Sequence, residues 1–425
     1  MEKLATKIAL LLFLSISLWG KSAIEVVKSV KNFRTIAVED GSIEKEIEKL
    51  SPKFYRLLVN DLTILTYFDV KDTGQKTEFD KNGAEFENRN LDYILKYKLY
   101  YDDLDNLSAD IKFINNQKGN LIFVKKYKIV DSDMYPFLAH KIVADINTHF
   151  GVSSVDWLTK YIIFSRYTKP RESEIVIADY TLTYMKTLVS GGLNLFPKWA
   201  DRTQKEFYFT RYEENKPTLY KMNIRTGNLE KILQTDGMLA CSDVSSDGKE
   251  LLLTMAPNGQ PDIYLYNVET KSKRQLTNYG GIDVSAHFIE GDKRITFVSD
   301  RLGFPNIFAK SVIGGDESVE QLVYYGKNNN SCSSYDNFIV YSSRETDNAF
   351  SDNTFNLHLI STDSNYVRRL TAMGINQFPK FSSDGESILF IKHYKNQSSL
   401  GIIRIDYNKS FLFPLNVGKI QSIDW

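Results

Sequence analysis

The sequence predicts an α/β N-terminal domain over residues 23–150, followed by an all-β six-bladed β-propeller over 151–425 with four-stranded blades and a ring closed by the C-terminal strand. Three observations carry this. From about residue 150 a strand-rich pattern recurs every 43 to 50 residues. Residues 23–150 lack that repeat and mix helical with strand periodicity. The chain ends in Gln421-Ser422-Ile423-Asp424-Trp425, a seventh copy of the pattern's opening with no blade behind it.

Taken in order, residues 1–22 read as a secretory signal peptide. Lys3 and Lys7 precede the apolar run Ile8–Leu14, which continues through Ile16 and Leu18 to Trp19, and the small residues Gly20, Ser22 and Ala23 follow. An A-x-A site is missing, so cleavage is placed loosely at Ser22/Ala23, the alternative being an uncleaved anchor. No later stretch approaches transmembrane length, so a mature chain soluble outside the cytoplasm is expected. Lysine plus arginine (53) equals aspartate plus glutamate (53), which removes any global electrostatic reason to seek nucleic acid or an anionic membrane.

In the N-terminal domain, Glu25–Lys28 and Arg34–Val38 read as strands. Apolar residues from Ile43 to Leu65 keep helical spacing, interrupted by Ser51-Pro52 in N-cap and N1 fashion, so two helical pieces are expected. A polar loop over 71–90, three strands near 91–101, 109–114 and 121–130, and a closing helix over 136–150 complete a mixed sheet backed by helices.

The repeat is anchored by Trp199, Val244, Phe288 and Phe381, with Tyr335 in the double interval between the last two. Asp-Gly at 247–248 and 384–385 marks the hairpin into a second strand. A third strand recurs at Ile175, Leu219, Ile263, Ile307, Leu357 and Ile402, and a fourth ends in Leu188, Leu233, Leu276, Leu322, Leu370 and Leu412. Gly192, Gly237, Gly281, Gly326, Gly374 and Gly418 then supply positive φ for the crossing to the next blade. Trp157 leads almost at once into the strand Tyr161–Ser165, leaving no inner strand for blade one. The terminal segment fits that vacancy and removes an open edge. Cys241 and Cys332 fall on inner strands of non-adjacent blades and are expected to be free, buried thiols.

No constellation of catalytic residues stands out. The chain has no G-x-S-x-G elbow, P-loop, H-E-x-x-H or C-x-x-C, its five histidines are scattered, and no cofactor or metal is implied. His287 reads as a structural channel residue. Arg166, Arg211, Arg301 and Arg344 recur at second-strand ends and read as blade-edge salt bridges or solvated ends. The polar segments Gly326–Ser334 and Ser342–Thr354 read as long solvated loops.

A signal peptide, a domain of this size and six blades carrying Phe378–Gly385, Leu370-Thr371 through Gly374, and Ser299-Asp300-Arg301-Leu302-Gly303 resemble the TolB family over essentially the whole chain. The resemblance implies a non-enzymatic, monomeric periplasmic component of the Tol–Pal system, with the alternative of a hydrolase or lyase acting in the channel. It implies that the mature N-terminus, here Ala23, Ile24, Glu25, Val26, Val27, Lys28 and Ser29, engages the C-terminal domain of TolA, or serves as an edge strand of its own domain. It implies that one channel mouth receives the lipoprotein Pal. Loops entering the inner strands offer Leu193, Asn194, Met238, Leu239, Ile282, Asp283, Asn329, Asn330, Asn376 and Gln377 for that contact. Blade three departs from the family's rim, reading Asp236-Gly237-Met238-Leu239 without a histidine.

Overall fold

A computed structural model describes residues 33–81, 90–313, 319–345, 353–364, 366–395, 397–416 and 418–425. The signal segment, the expected strand at 25–28 and the TolA-directed segment 23–29 lie outside these residues.

The N-terminal sheet is built from β1 (Arg34–Asp40), β2 (Phe68–Lys71), β3 (Tyr93–Tyr101), β4 (Leu107–Asn115) and β5 (Asn120–Ile129), in the order β2-β1-β3-β4-β5. β1 runs parallel to both neighbours and the remaining pairs are antiparallel, so the sheet is mixed as expected. Helices α1 (Ser51–Ile64) and α2 (Tyr135–Phe150) cover one face. Phe54, Leu58 and Leu62 of α1 and Leu138, Ile142 and Ile146 of α2 bury themselves with Val38, Leu95, Tyr97 and Ile111 of the sheet. Two details differ from expectation. Ser51 is not the N-cap of α1: Leu50 takes that place, and the Ser51 hydroxyl donates instead to Asp40 at 2.5 Å. The segment entering the 71–90 loop carries β2, four residues long and too short for periodicity to reveal.

Beyond Thr159 the described chain forms strands and turns. First come β6 (Ile162–Lys169), β7 (Glu172–Ala178) and β8 (Met185–Val189). β9 (Asn194–Trp199), β10 (Glu206–Glu213), β11 (Lys216–Asn223) and β12 (Leu229–Gln234) make one antiparallel sheet. β13 (Leu239–Val244), β14 (Glu250–Met255), β15 (Asp262–Asn267) and β16 (Lys273–Gln275) make the next. β17 (Asp283–Ile289), β18 (Arg294–Ser299), β19 (Asn306–Ser311) and β20 (Glu320–Gln321) repeat it. β21 (Lys327–Tyr335), β22 (Phe338–Arg344), β23 (Phe355–Ser361) and β24 (Val367–Arg369) follow, then β25 (Ile375–Phe381), β26 (Ser387–Tyr394), β27 (Gln397–Arg404) and β28 (Lys409–Pro414). A single pair, Phe355–Ile375, joins these last two groups. The terminal strand β29 (Lys419–Asp424) lies antiparallel to β6, with Ser422 opposite Ser165 and Ile423 opposite Phe164. The architecture is a TolB-like β-propeller with a small N-terminal α/β region.

Register corrects four expectations. Gly326–Ser334 is not a solvated loop: from Lys327 it is strand β21, its asparagines and serines paired with β22. Ser342–Arg344 likewise belongs to β22, and 346–352 lies outside the described residues. Leu400, opposite Ile391, and not Ile402 matches Leu357, which faces Ser342 in the previous repeat. Leu412 is exposed, and Leu415 is the buried residue at the end of β28. Strand alternation explains the last two, since a shift of one or three residues changes the face and a shift of two preserves it. Of the six glycines, Gly192, Gly326, Gly374 and Gly418 have positive φ, whereas Gly237 is required for space: a Cβ there would sit 1.7 Å from the Ala256 carbonyl oxygen.

Candidate functional site

The inner strands β9, β13, β17, β21, β25 and β29 start at Asn194, Leu239, Asp283, Asn329, Asn376 and Ile420, counting from each strand's first buried residue. All six are buried, Leu239 and Ile420 by apolar packing and the other four by polar side-chain bonds to the loop before them or to an adjoining strand. Asn194 donates to the carbonyls of Ser173 and Gly191 at 3.0 and 2.9 Å, and Asn376 does the same to Phe355 and Met373. Asn329 donates to Asn306 and to the Tyr325 carbonyl, both at 2.9 Å. Asp283 accepts two hydrogen bonds from Arg301, whose guanidinium also lies over Tyr279, Phe297 and Phe308. Five of the ten rim residues, Asn194, Leu239, Asp283, Asn329 and Asn376, therefore shape the mouth from beneath. Met238 and Ile282 are exposed, and Leu193, Asn330 and Gln377 are half-buried.

Other residues at this end were not flagged by the repeat. Antiparallel pairing places the second-to-third-strand hairpins beside the loops that enter the inner strands, since Asn194 faces Arg211 and Asp283 faces Ser299. Those two loop sets expose Leu302, Phe304, Tyr324, Tyr325, Met373 and Tyr394. The signal available in sequence was local: Tyr324-Tyr325-Gly326 and Leu302-Gly303-Phe304 set aromatic residues beside turn glycines.

Deeper in, one cavity of about 120 Å³ is lined by residues from all six inner strands. Each of these strands has a register irregularity at this level, and Phe196, Ser285, Ser331 and Phe378 adopt positive φ there. Non-glycine residues in that region carry strain of about 1–3 kcal/mol each and tend to gather at functional sites. Four residues after each starting position comes an inward side chain: Asp424, Lys198, Asp243, His287, Ser333 and Lys380, facing Ile163, Tyr208, Leu252, Thr296, Val340 and Leu389. Acceptors and donors alternate along this series. Lys198 holds Asp243 at 3.0 Å and Asp424 at 3.1 Å. The second oxygens of those carboxylates accept from the Phe288 and Trp199 amides, each at 3.0 Å, and Ser333 accepts from the Phe381 amide at 3.2 Å. Burial alone would pull the Lys198 amine down, but Asp424 and Asp243 outweigh it and hold the proton firmly. Burial, reinforced by Lys380, lowers His287 to about 4, leaving it neutral at pH 7. Cys241 and Cys332 are free and buried, as expected, and burial pushes both thiols up, Cys332 to about 11. Among the described residues no group of three or more His, Cys, Asp or Glu could hold a metal ion.

A family profile described as "TolB beta propeller domain" matches residues 157–425. A Tol-Pal system protein TolB from Wolinella succinogenes is 47% identical over 407 residues, covering 95% of this chain and 96% of that protein. One from Helicobacter hepaticus is 42% identical, covering 98% of both. The chain belongs to the TolB family. Its fold is similar to crystalline TolB from Acinetobacter baumannii, with a TM-score of 0.75 at 21% identity over 92% of this chain and 96% of that one. Membership makes it a non-enzymatic Tol–Pal component and leaves a channel hydrolase or lyase without support. Among the described residues no helix is long and apolar enough to cross a membrane.

In this TolB-family chain the end opposite the mouth meets the α/β region. Trp157, Tyr180, Leu182 and Ile423 share one buried cluster with Leu138 and Ile142 of α2. Within it His140 is fully buried between two carboxylates, Asp61 of α1 at 2.7 Å and Asp179 of the propeller at 3.2 Å. The Tyr180 hydroxyl donates to the other oxygen of Asp61. Burial works against a charged imidazole, but Asp61 and Asp179 prevail and raise it to about 9. His140 is thus an imidazolium at neutral pH and joins the two regions. Sequence spacing could not have found this cluster, because its members are separated by 79 and 39 residues.

Proposed function

We propose that this protein is exported to the periplasm, where it links the lipoprotein Pal to the C-terminal domain of TolA and so supports outer-membrane integrity and envelope constriction at cell division. Residues 1–22 act as the export signal, 23–150 as an α/β domain and 151–425 as a ring of six four-stranded blades. The pairing of β29 with β6, and a cavity bordered by six inner strands, support closure of that ring by the C-terminal strand.

Pal docks at the mouth described above. The observation that carries this reading is that the loops at this one end expose eight large apolar side chains, Met238, Ile282, Leu302, Phe304, Tyr324, Tyr325, Met373 and Tyr394, since exposed apolar surface of this kind marks interaction sites. Aromatic anchors dominate binding energy at such surfaces. Leu193, Asn330 and Gln377 flank them, and Asn194, Leu239, Asp283, Asn329 and Asn376 hold the loops in place. Residues Ala23–Ser29 engage TolA by adding a strand to its sheet edge, a mode that suits their alternating apolar pattern.

The test uses the mature chain and both partners. A Tyr324→Ala/Tyr325→Ala/Met373→Ala variant should lose Pal binding by about 100-fold or more and keep TolA binding. Removing residues 23–29 should do the reverse. Undiminished Pal affinity in the triple variant would refute the mouth as the docking surface.

A further inference from the structure

The six inward side chains divide the channel into two unlike halves. Asp243 and Asp424 border the larger cavity on the α/β side, of about 470 Å³, together with Trp157 and Trp425. His287 and Lys380 border the smaller cavity on the mouth side, and Lys198 reaches both. The mouth-side lining contains two lysines, one histidine and five hydroxyl groups, and not one aspartate or glutamate. Lys198 is already held by both carboxylates. Lys380 makes no ion pair or hydrogen bond among the described residues. Its flank toward β21 offers the hydroxyl of Ser333, which already accepts the Phe381 amide, and Asp424 on its flank toward β29 is taken up by Lys198 and the Trp199 amide. An ammonium in such a cavity is costly unless an acceptor joins it.

We propose that this mouth-side cavity is a carboxylate-binding site in which Lys380 supplies the charge, with the hydroxyls of Ser331 and Ser285 beside it. The site opens toward Met238 on the rim, so the carboxylate enters from the mouth. Burial and the proximity of Lys198 lower Lys380 and outweigh the attraction of Asp424 and Asp243, and a carboxylate bound beside it adds to that attraction. The carboxylate belongs either to a free small anion or to an acidic side chain on a protein docked at the mouth.

The experiment titrates the full mature chain with N-acetyl-glutamate amide and with acetate by isothermal calorimetry at constant ionic strength. N-acetyl-glutamine amide serves as the neutral control. The glutamate compound should bind saturably and its glutamine counterpart should not. Lys380→Met should weaken binding about 10- to 100-fold, the worth of one charge-assisted hydrogen bond. Lys380→Arg, which keeps the charge, should retain it and guards against mere misfolding. Competition between the glutamate compound and Pal would assign the carboxylate to the docked protein, and simultaneous binding would assign it to a free anion. Absence of saturable binding to the parent chain, or equal binding to Lys380→Met, would overturn the proposal. Neither result bears on whether Pal docks at the rim, which the aromatic variants test separately.

Discussion

Raising the pH should loosen the junction between the α/β region and the propeller, because that junction contains a buried imidazolium. His140 is fully enclosed, 2.7 Å from Asp61 and 3.2 Å from Asp179, and titrates at about 9 against an ordinary 6.5. A difference of about 2.5, at about 1.4 kcal/mol per pH unit, makes the protonated form worth about 3 kcal/mol to the folded state. The sign follows from proton uptake. Between pH 6.5 and 9 the folded chain keeps a proton that the unfolded chain has released, so stability falls as pH rises through that window. It is fully present below 6.5. The informative quantity is the difference in urea-unfolding free energy between the parent and His140→Gln, because all other titrations cancel. Tryptophan fluorescence reports on the junction directly, since Trp157 and Trp425 lie 5.3 Å apart within it. The difference should be about 3 kcal/mol larger at pH 6 than at pH 9.5. A difference that stays constant over this range would refute a charged His140 at the junction.

Three further outcomes are expected. Deleting Lys419–Trp425 removes the partner strand of β6, two buried isoleucines (Ile420 and Ile423) and the Trp425 hydrogen bond to the Phe381 carbonyl; this should cost more than about 4 kcal/mol and lower the melting temperature sharply by differential scanning calorimetry. Thiol titration of the unfolded, unreduced chain should find both Cys241 and Cys332 reactive, and the native chain should react slowly. Arg301→Met strands the buried Asp283 carboxylate and should destabilise by about 3–5 kcal/mol, whereas Arg301→Met with Asp283→Ala should cost clearly less than the two single changes added, as read from chemical denaturation.

Much of the fold was legible because a repeated unit states its own plan several times over. Anchors, hairpin glycines and third-strand apolar residues recur at nearly constant spacing, so a slip such as Ile402 for Leu400 moved a position within its strand without moving the strand itself. The polar run at 326–334 misled for a physical reason. Inner strands of a propeller line a channel, so they need not carry the apolar alternation by which strands are normally recognised. Asn329 is buried not by hydrophobicity but by two hydrogen bonds to the preceding loop and strand.

The candidate site divides in the same way. Local sequence located the loops of the mouth, because glycine and strand order mark them without any knowledge of distant contacts. Which rim residues turn outward was decided by tertiary structure: Asn194 and Asp283 looked like available polar groups until their partners, Ser173 and Arg301, closed over them. The series Asp424, Lys198, Asp243, His287, Ser333 and Lys380 is scattered over more than half of the chain and acquires meaning only when six strands converge. The same is true of His140 with Asp61 and Asp179. Periodicity encodes what each segment does with its nearest neighbours. Long-range charge pairing depends on where the folded backbone brings segments that no spacing relates, and only the assembled structure specifies that.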